Sequence, residues 1–145
     1  QTMHRGSEVK MKEVPFCSEG NSNWNEGMLL ELARSISDNV QVLNSEQRII
    51  THIAAVFPCN FTNHFYALAD EILQKNGMDL DILRPLIRKT ANNIDKGHPK
   101  DLQTGPAKRN DTKVMQEHLD MLEQLSPELR KLYEDVSASI IKLHN

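Results

Sequence analysis

Residues 45–76, SEQRIITHIAAVFPCNFTNHFYALADEILQKN, decide how this chain is read. Apolar residues recur at helical spacing through most of the stretch. Ser45 is placed to cap a helix with Glu46 in its first turn, and Asn76-Gly77 supplies the stop. At 1.5 Å per residue such a helix runs roughly 45 Å, long enough to cross a small domain as its central element. Pro58 falls in the interior, where it removes one backbone hydrogen bond and predicts a bend near Val56. The same stretch carries His52, Asn60, Asn63 and His64, polar groups that cost energy in an apolar helix unless something satisfies them. Either neighbouring backbone does so, or a ligand in a cleft lined by the helix.

Toward the N-terminus the period changes. Glu8 to Ser18, EVKMKEVPFCS, alternates in part and predicts a strand interrupted or started by Pro15. Asn23 with Glu26 forms a candidate capping box for a helix that uses Met28, Leu29, Leu32, Ala33 and Ile36 up to Asp38. Val40 to Leu43 is then a short strand. Strand, helix and strand in about 35 residues make the βαβ unit of a parallel sheet. Two strands cannot protect their own edges, so more sheet must come from elsewhere. The change of period sets a domain boundary at about Asn44, dividing residues 1–44 from 45–145. Gln1 to Gly6 lacks an initiator methionine and any clear element, so the chain reads as a piece of something longer or a processed product.

The remainder is helical, and the fold class expected is mainly α. Met78 to Lys96 predicts a helix capped by Asp79 or Asp81, burying Leu80, Ile82, Leu83, Leu86, Ile87 and Ile94, with Gly97 ending it. His98 to Asn110 is a turn-rich connection. Asp111 caps a helix to about Leu125. Ser126-Pro127-Glu128 restarts the chain as a last helix to about Leu143, because serine caps, proline suits the first helical position and glutamate suits the positive end of the dipole.

Composition narrows the function. The chain has 145 residues, 39% of them apolar, and a net charge of -3, which is enough for one compact domain and gives no basic stripe for nucleic acid. The most apolar run, Ile53 to Cys59, is far shorter than the roughly 20 residues of a membrane-spanning helix. Cys17 and Cys59 share no metal-ligand spacing and read as buried, reduced thiols of a cytoplasmic protein. The six glycines never fall into GxGxxG or P-loop spacing, and GxSxG, HExxH and CxxC are missing too, which argues against the common hydrolase, zinc protease and thiol redox classes. No metal is expected, since His52 and His64 lie twelve apart and the other histidines are scattered.

Two places remain for chemistry. His52, Val56, Asn60 and Asn63 are spaced four, four and three apart, which places them on one helical face. His52 is there a candidate proton donor or acceptor, and Asn60 and Asn63 are candidate donors to a carbonyl or carboxylate. The alternative is that the asparagines satisfy carbonyls freed by Pro58. His64 points about a hundred degrees from Asn63 and reads as structural or interfacial. The second place is the loop from Thr104 to Asp111, TGPAKRND, where Arg109 offers a bidentate anion fork and Asp111 a cap; the alternative is a tight connection with a solvated arginine.

These two stretches, HxAAVFxxNFxNH and TGPxxRxD, resemble a family of Rossmann-like proteins with a C-terminal domain of unknown function, the DUF twenty-five-twenty family. It is similar to ketopantoate reductase, pyrroline-5-carboxylate reductase and the deazaflavin-linked NADP reductases. The resemblance implies that residues 1–44 are the last βαβ part of a nucleotide-binding domain whose first half is absent. It also implies that residues 45–145 are a helical domain of the 6-phosphogluconate dehydrogenase C-terminal-like type, used for substrate contacts and dimerisation. An NAD(P)-dependent oxidoreductase is implied for the complete protein, with NADP or NAD as cofactor, a small-molecule substrate and a homodimer; this stretch alone is then inactive. Candidate catalytic residues are His52, Asn60 and Asn63, and candidate substrate-binding residues Thr104 and Arg109, bounding an interdomain cleft. Relatives carry a lysine and an asparagine on the corresponding helix. His52 and Val56 stand near those places here, while Asn60 and Asn63 keep the amide character. The competing reading is a helical dimerisation or partner-binding module without catalysis.

Overall fold

The computed structural model describes residues 8–145; the reading of Gln1 to Gly6 lies outside them. It is mainly α with a two-stranded parallel sheet near its start. The chain forms two compact units, Gln1–Tyr66 and Ala67–Asn145.

In the first unit, β1 (Phe16–Ser18) and β2 (Val40–Val42) pair in parallel, with Phe16 opposite Val40 and Ser18 opposite Val42. The connection between them is α1 (Asn23–Ile36), as the βαβ pattern requires. Pro15 starts the first strand rather than interrupting it, and residues Met11–Glu13 are a 3-10 turn instead of strand. A proline has no N–H to give a ladder, so pairing begins after it. The cap of α1 is Ser22, whose hydroxyl accepts from the Asn25 N–H at 3.3 Å, one residue before the expected Asn23.

The most buried side chain of this unit is polar. Ser37 is 1% exposed. Its hydroxyl bonds to the carbonyl oxygens of Val14 and Lys12, and its oxygen accepts from the Asn39 N–H at 3.0 Å. It ties the segment before β1 to the turn before β2. Ser37→Ala is expected to cost about 1–3 kcal/mol, because carbonyls left buried without a donor keep their full desolvation penalty. Denaturant unfolding monitored by circular dichroism checks this, and an unchanged midpoint would rule it out.

The long helix follows as three pieces: α2 (Ser45–Ala55), a π turn (Val56–Phe61) and α3 (Thr62–Lys75). Asn44, not Ser45, caps α2. Its Oδ1 accepts from the Gln47 N–H at 2.8 Å while its own N–H donates to Gln47 Oε1 at 3.0 Å, a full capping box. Gly77, with φ 71°, ends the element as Asn76-Gly77 predicts. The sequence reading made this rod the centre of the domain, but the structure does not cover it. Ile49, Ile53 and Phe57 are 61%, 56% and 62% exposed, and Phe61 and Phe65 are exposed as well. Cys59 and Cys17 are exposed too, against the expectation of burial, one on the uncovered rod and the other on a strand of a sheet with only two members.

In the second unit the expected helix over 78–96 is broken. Asp79 caps a 3-10 turn (Leu80–Ile82), α4 runs Arg84–Asn92 with Pro85 in its first turn, and a second 3-10 turn (Asn93–Lys96) leads to Gly97. Proline at residue 85 lacks the N–H that would join the first turn to the helix, which accounts for the break. Ile82, Leu86 and Ile94, expected to be buried, are exposed. A short α5 (Pro99–Leu102) lies inside the turn-rich connection. The cap and restart signals at the end hold: Asp111 caps α6 (Thr112–Leu125), and Ser126 caps α7 (Pro127–His144) by accepting from the Leu129 N–H at 3.3 Å. α6 and α7 pack together, joined by His118 Nδ1 and the Tyr133 hydroxyl at 2.9 Å with the two rings edge-on. Among the described residues no helix is long and apolar enough to cross a membrane.

Candidate functional site

The polar groups of the rod are presented outward. His52, Asn60, Asn63 and His64 are all exposed, and none of their side chains has a hydrogen-bond partner among the described residues. The asparagines therefore do not satisfy the carbonyls that Pro58 frees. The polar side chain that does bond within the turn is Thr62, whose hydroxyl donates to the Phe57 carbonyl, five residues back, at 3.2 Å. That spacing is the π period. Pro58 explains the wide turn, since it cannot bond to the carbonyl of Ala54 and its ring crowds that turn. Phe57 and Phe61 stack edge-on across the turn with centroids 5.1 Å apart. The sequence showed the bend and missed its form; a proline followed four residues later by a threonine was the available signal.

The rod is anchored to the sheet by a carboxylate. Glu19, just past β1, accepts from the Ser45 N–H at 3.0 Å, the Ser45 hydroxyl at 2.6 Å and Arg48 at 3.0 Å. Ser45, expected to cap α2, is used in this clasp instead. The hydrogen bond from the Ser45 hydroxyl, aided by its backbone N–H and by Arg48, holds the Glu19 carboxyl below the ordinary carboxylate range. A lowered folded value means that the clasp contributes fully above the unfolded value and is lost as pH falls through the folded one. Glu19→Gln is therefore expected to flatten the acid limb of the melting temperature between about pH 5 and 3. An acid limb unchanged in scanning calorimetry contradicts this.

Beside the clasp, a groove of ≈ 530 Å³ opens at the carboxyl end of β1, lined by Glu19, Gly20, Asn21, Trp24, Asn25, Met28 and Leu29. Ligands of open parallel sheets gather at that end of the strands. Trp24, 72% exposed, stands at the mouth. The sequence reading passed over it, although a lone tryptophan in the first turn of an amphipathic helix, four residues before Met28, was a visible signal.

In the second unit, Thr104 lines a cleft of ≈ 290 Å³ with Thr90, Asn93, Ile94, Pro99, Leu102 and Gln103. Arg109, five residues on, is exposed and its guanidinium has no partner among the described residues. The loop is built by Gly105 at φ 105° and by Asn110 at φ 52°, the left-handed region that glycine and asparagine tolerate. Asp111 does not orient Arg109; its carboxylate accepts from the Val114 N–H at 3.3 Å as the helix cap. At the far end of α7, burial first and then the positive charges of Lys108 and Lys100 push His144 below the ordinary histidine value.

Residues 14–140 match the family described as domain of unknown function DUF2520. The chain belongs to this family. Among solved structures it is similar to the "putative NADP oxidoreductase BF3122" of Bacteroides fragilis, with 44% identity and a TM-score of 0.91 over 98% of this chain and 54% of that one. It is also similar to protein TM1727 of Thermotoga maritima, with 26% identity and a TM-score of 0.72 over 84% of this chain and 50% of that one. The chain thus spans about half the length of these relatives. No curated protein matches it. The mainly α architecture with a βαβ start is accordingly shared with the Bacteroides fragilis protein over nearly the whole of this chain.

Proposed function

We propose that this chain is the C-terminal portion of an NAD(P)-dependent oxidoreductase, residues 1–44 ending its nucleotide-binding domain and residues 45–145 forming a helical domain that contacts substrate and dimerises. The observation that carries the reading is the row of exposed, uncommitted imidazole and amide groups on the rod from His52 to Asn63. The similarity to the "putative NADP oxidoreductase BF3122" of Bacteroides fragilis supports it.

These residues suit the nicotinamide end of a dinucleotide and a carbonyl substrate. They do not suit its pyrophosphate, for which the chain carries no GxGxxG. A bound nicotinamide cofactor would supply or accept the hydride. Asn60 and Asn63 donate hydrogen bonds to a carbonyl or carboxylate oxygen, favouring charge that develops there. His52 gives or takes the proton at the substrate oxygen. Thr104 and Arg109 are proposed as substrate-binding residues, Arg109 by pairing with a carboxylate through its fork. The reaction is cytoplasmic in this reading, with a small carbonyl or hydroxy compound as substrate. The test is NADPH binding to the complete product of the gene, followed by cofactor fluorescence: saturation in the micromolar range is expected, and no binding at millimolar cofactor removes the redox function.

One observation favours a second reading. The exposed apolar residues Ile49, Ile53, Phe57, Phe61 and Phe65 repeat every four positions along the rod, as expected of a helix that packs against a partner. In that reading the helical domain is a non-catalytic dimerisation or partner-binding module.

A further inference from the structure

We infer that the imidazole working beside Asn60 is that of His64, brought there by the π turn, and that the pair binds one oxygen-bearing group of the ligand. The inference rests on the oxidoreductase reading above and names a positioning device within it.

The geometry follows from counting. In an α-helix each residue advances about 100°, so Asn63 would lie about 20° from His52 in azimuth and His64 about 120° away. A π turn takes up one extra residue and sets everything beyond it back by about 100°. The turn at Val56–Phe61 lies between His52 and these residues. It therefore moves His64 to within about 20° of His52 and swings Asn63 to about 80° from it. The same correction keeps the four-residue apolar repeat from Ile49 to Phe65 on one side, where an uninterrupted helix would wind it away by about 160°.

Distance along the axis then sorts the partners. His64 follows Asn60 by four residues, about 6 Å or one turn, whereas His52 precedes Asn60 by eight, about 12 Å. Asn60 and His64 can thus grip one carbonyl, carboxamide or carboxylate, the amide and the imidazole each donating an N–H. His52 reaches a different part of the bound molecules. Both His64 and Asn60 are exposed and uncommitted among the described residues, so neither is held by the fold. Thr62 and Pro58 are positioning residues, since they hold the turn.

The test uses the complete gene product, titrated by calorimetry first with NADPH and then, when saturated, with oxamate, which carries both a carboxamide and a carboxylate. His64→Gln is expected to weaken one of the two at least tenfold, and by more than Asn63→Ala does. A loss in the NADPH titration assigns the pair to the nicotinamide carboxamide, and a loss confined to oxamate assigns it to substrate. Pro58→Ala, which lets the turn relax to α, is expected to reproduce the loss seen for His64→Gln. Histidine side-chain NMR is expected to show the His64 resonance moving on ligand addition and that of His118 staying, a response that a structural role would not give. Asn63→Ala weakening binding more than His64→Gln, or a His64 resonance that does not move, overturns the inference while leaving the oxidoreductase reading intact. A parent protein that does not bind NADPH overturns that reading, and this inference with it.

Discussion

Gly20→Ala is expected to destabilise the first unit by about 3 kcal/mol, at the upper end of what a forced core contact costs. A methyl group at Gly20 would stand 2.5 Å from both the Cβ and the backbone nitrogen of Glu26 and 2.6 Å from its Cα. Backbone atoms in the first turn of a helix cannot rotate aside as a side-chain tip can. Relief requires moving the N-terminus of α1 away from the carboxyl end of β1, which opens the groove beside Trp24 and pulls at the neighbouring Glu19 clasp. Equilibrium urea unfolding of the variant reads the loss. A difference below about 0.5 kcal/mol would show that this approach is not close in solution.

Charging the apolar row is expected to have the largest effect on assembly. Burying an isoleucine or phenylalanine that is now exposed gains about 1.5–3 kcal/mol, and the row from Ile49 to Phe65 offers five such side chains. Residues 8–145 as they stand leave this surface to water, an arrangement that favours self-association in solution. Ile53→Glu with Phe57→Glu is expected to raise the dissociation constant of self-association at least a hundredfold in sedimentation equilibrium, with helicity retained because neither residue packs inside the fold. A parent chain that sediments as a monomer at tens of micromolar would contradict the dimerising part of the proposal.

How far the sequence could be read depends on where the deciding energy lies. Local chemistry was legible: the caps Asp111 and Ser126, the Asn76-Gly77 stop and the βαβ period each involve a few neighbouring residues, and each appears where its residues stand. Legibility failed where a distant partner competes for a side chain. Ser45 is a good cap by itself, but Glu19, 26 residues away, recruits its hydroxyl, and Asn44 with Gln47 takes over the capping. Burial was misjudged for a related reason. An apolar period identifies a face that prefers to be covered without saying whether the cover lies in the same stretch of chain, and for Ile53, Phe57 and Ile82 it does not. At the candidate site the residue types were legible and their directions were not, because one proline-driven turn changes the count by which faces are assigned.

The most direct measurement is a paired one on Asn60→Ala in the complete gene product: the dissociation constant for NADPH together with the melting temperature. If the rod's polar groups meet ligand, the dissociation constant rises at least tenfold while the melting temperature stays within about 2 °C, since an exposed, unbonded amide supports little of the fold. A melting temperature that drops while NADPH affinity stays the same would contradict this and leave the amide a purely architectural part.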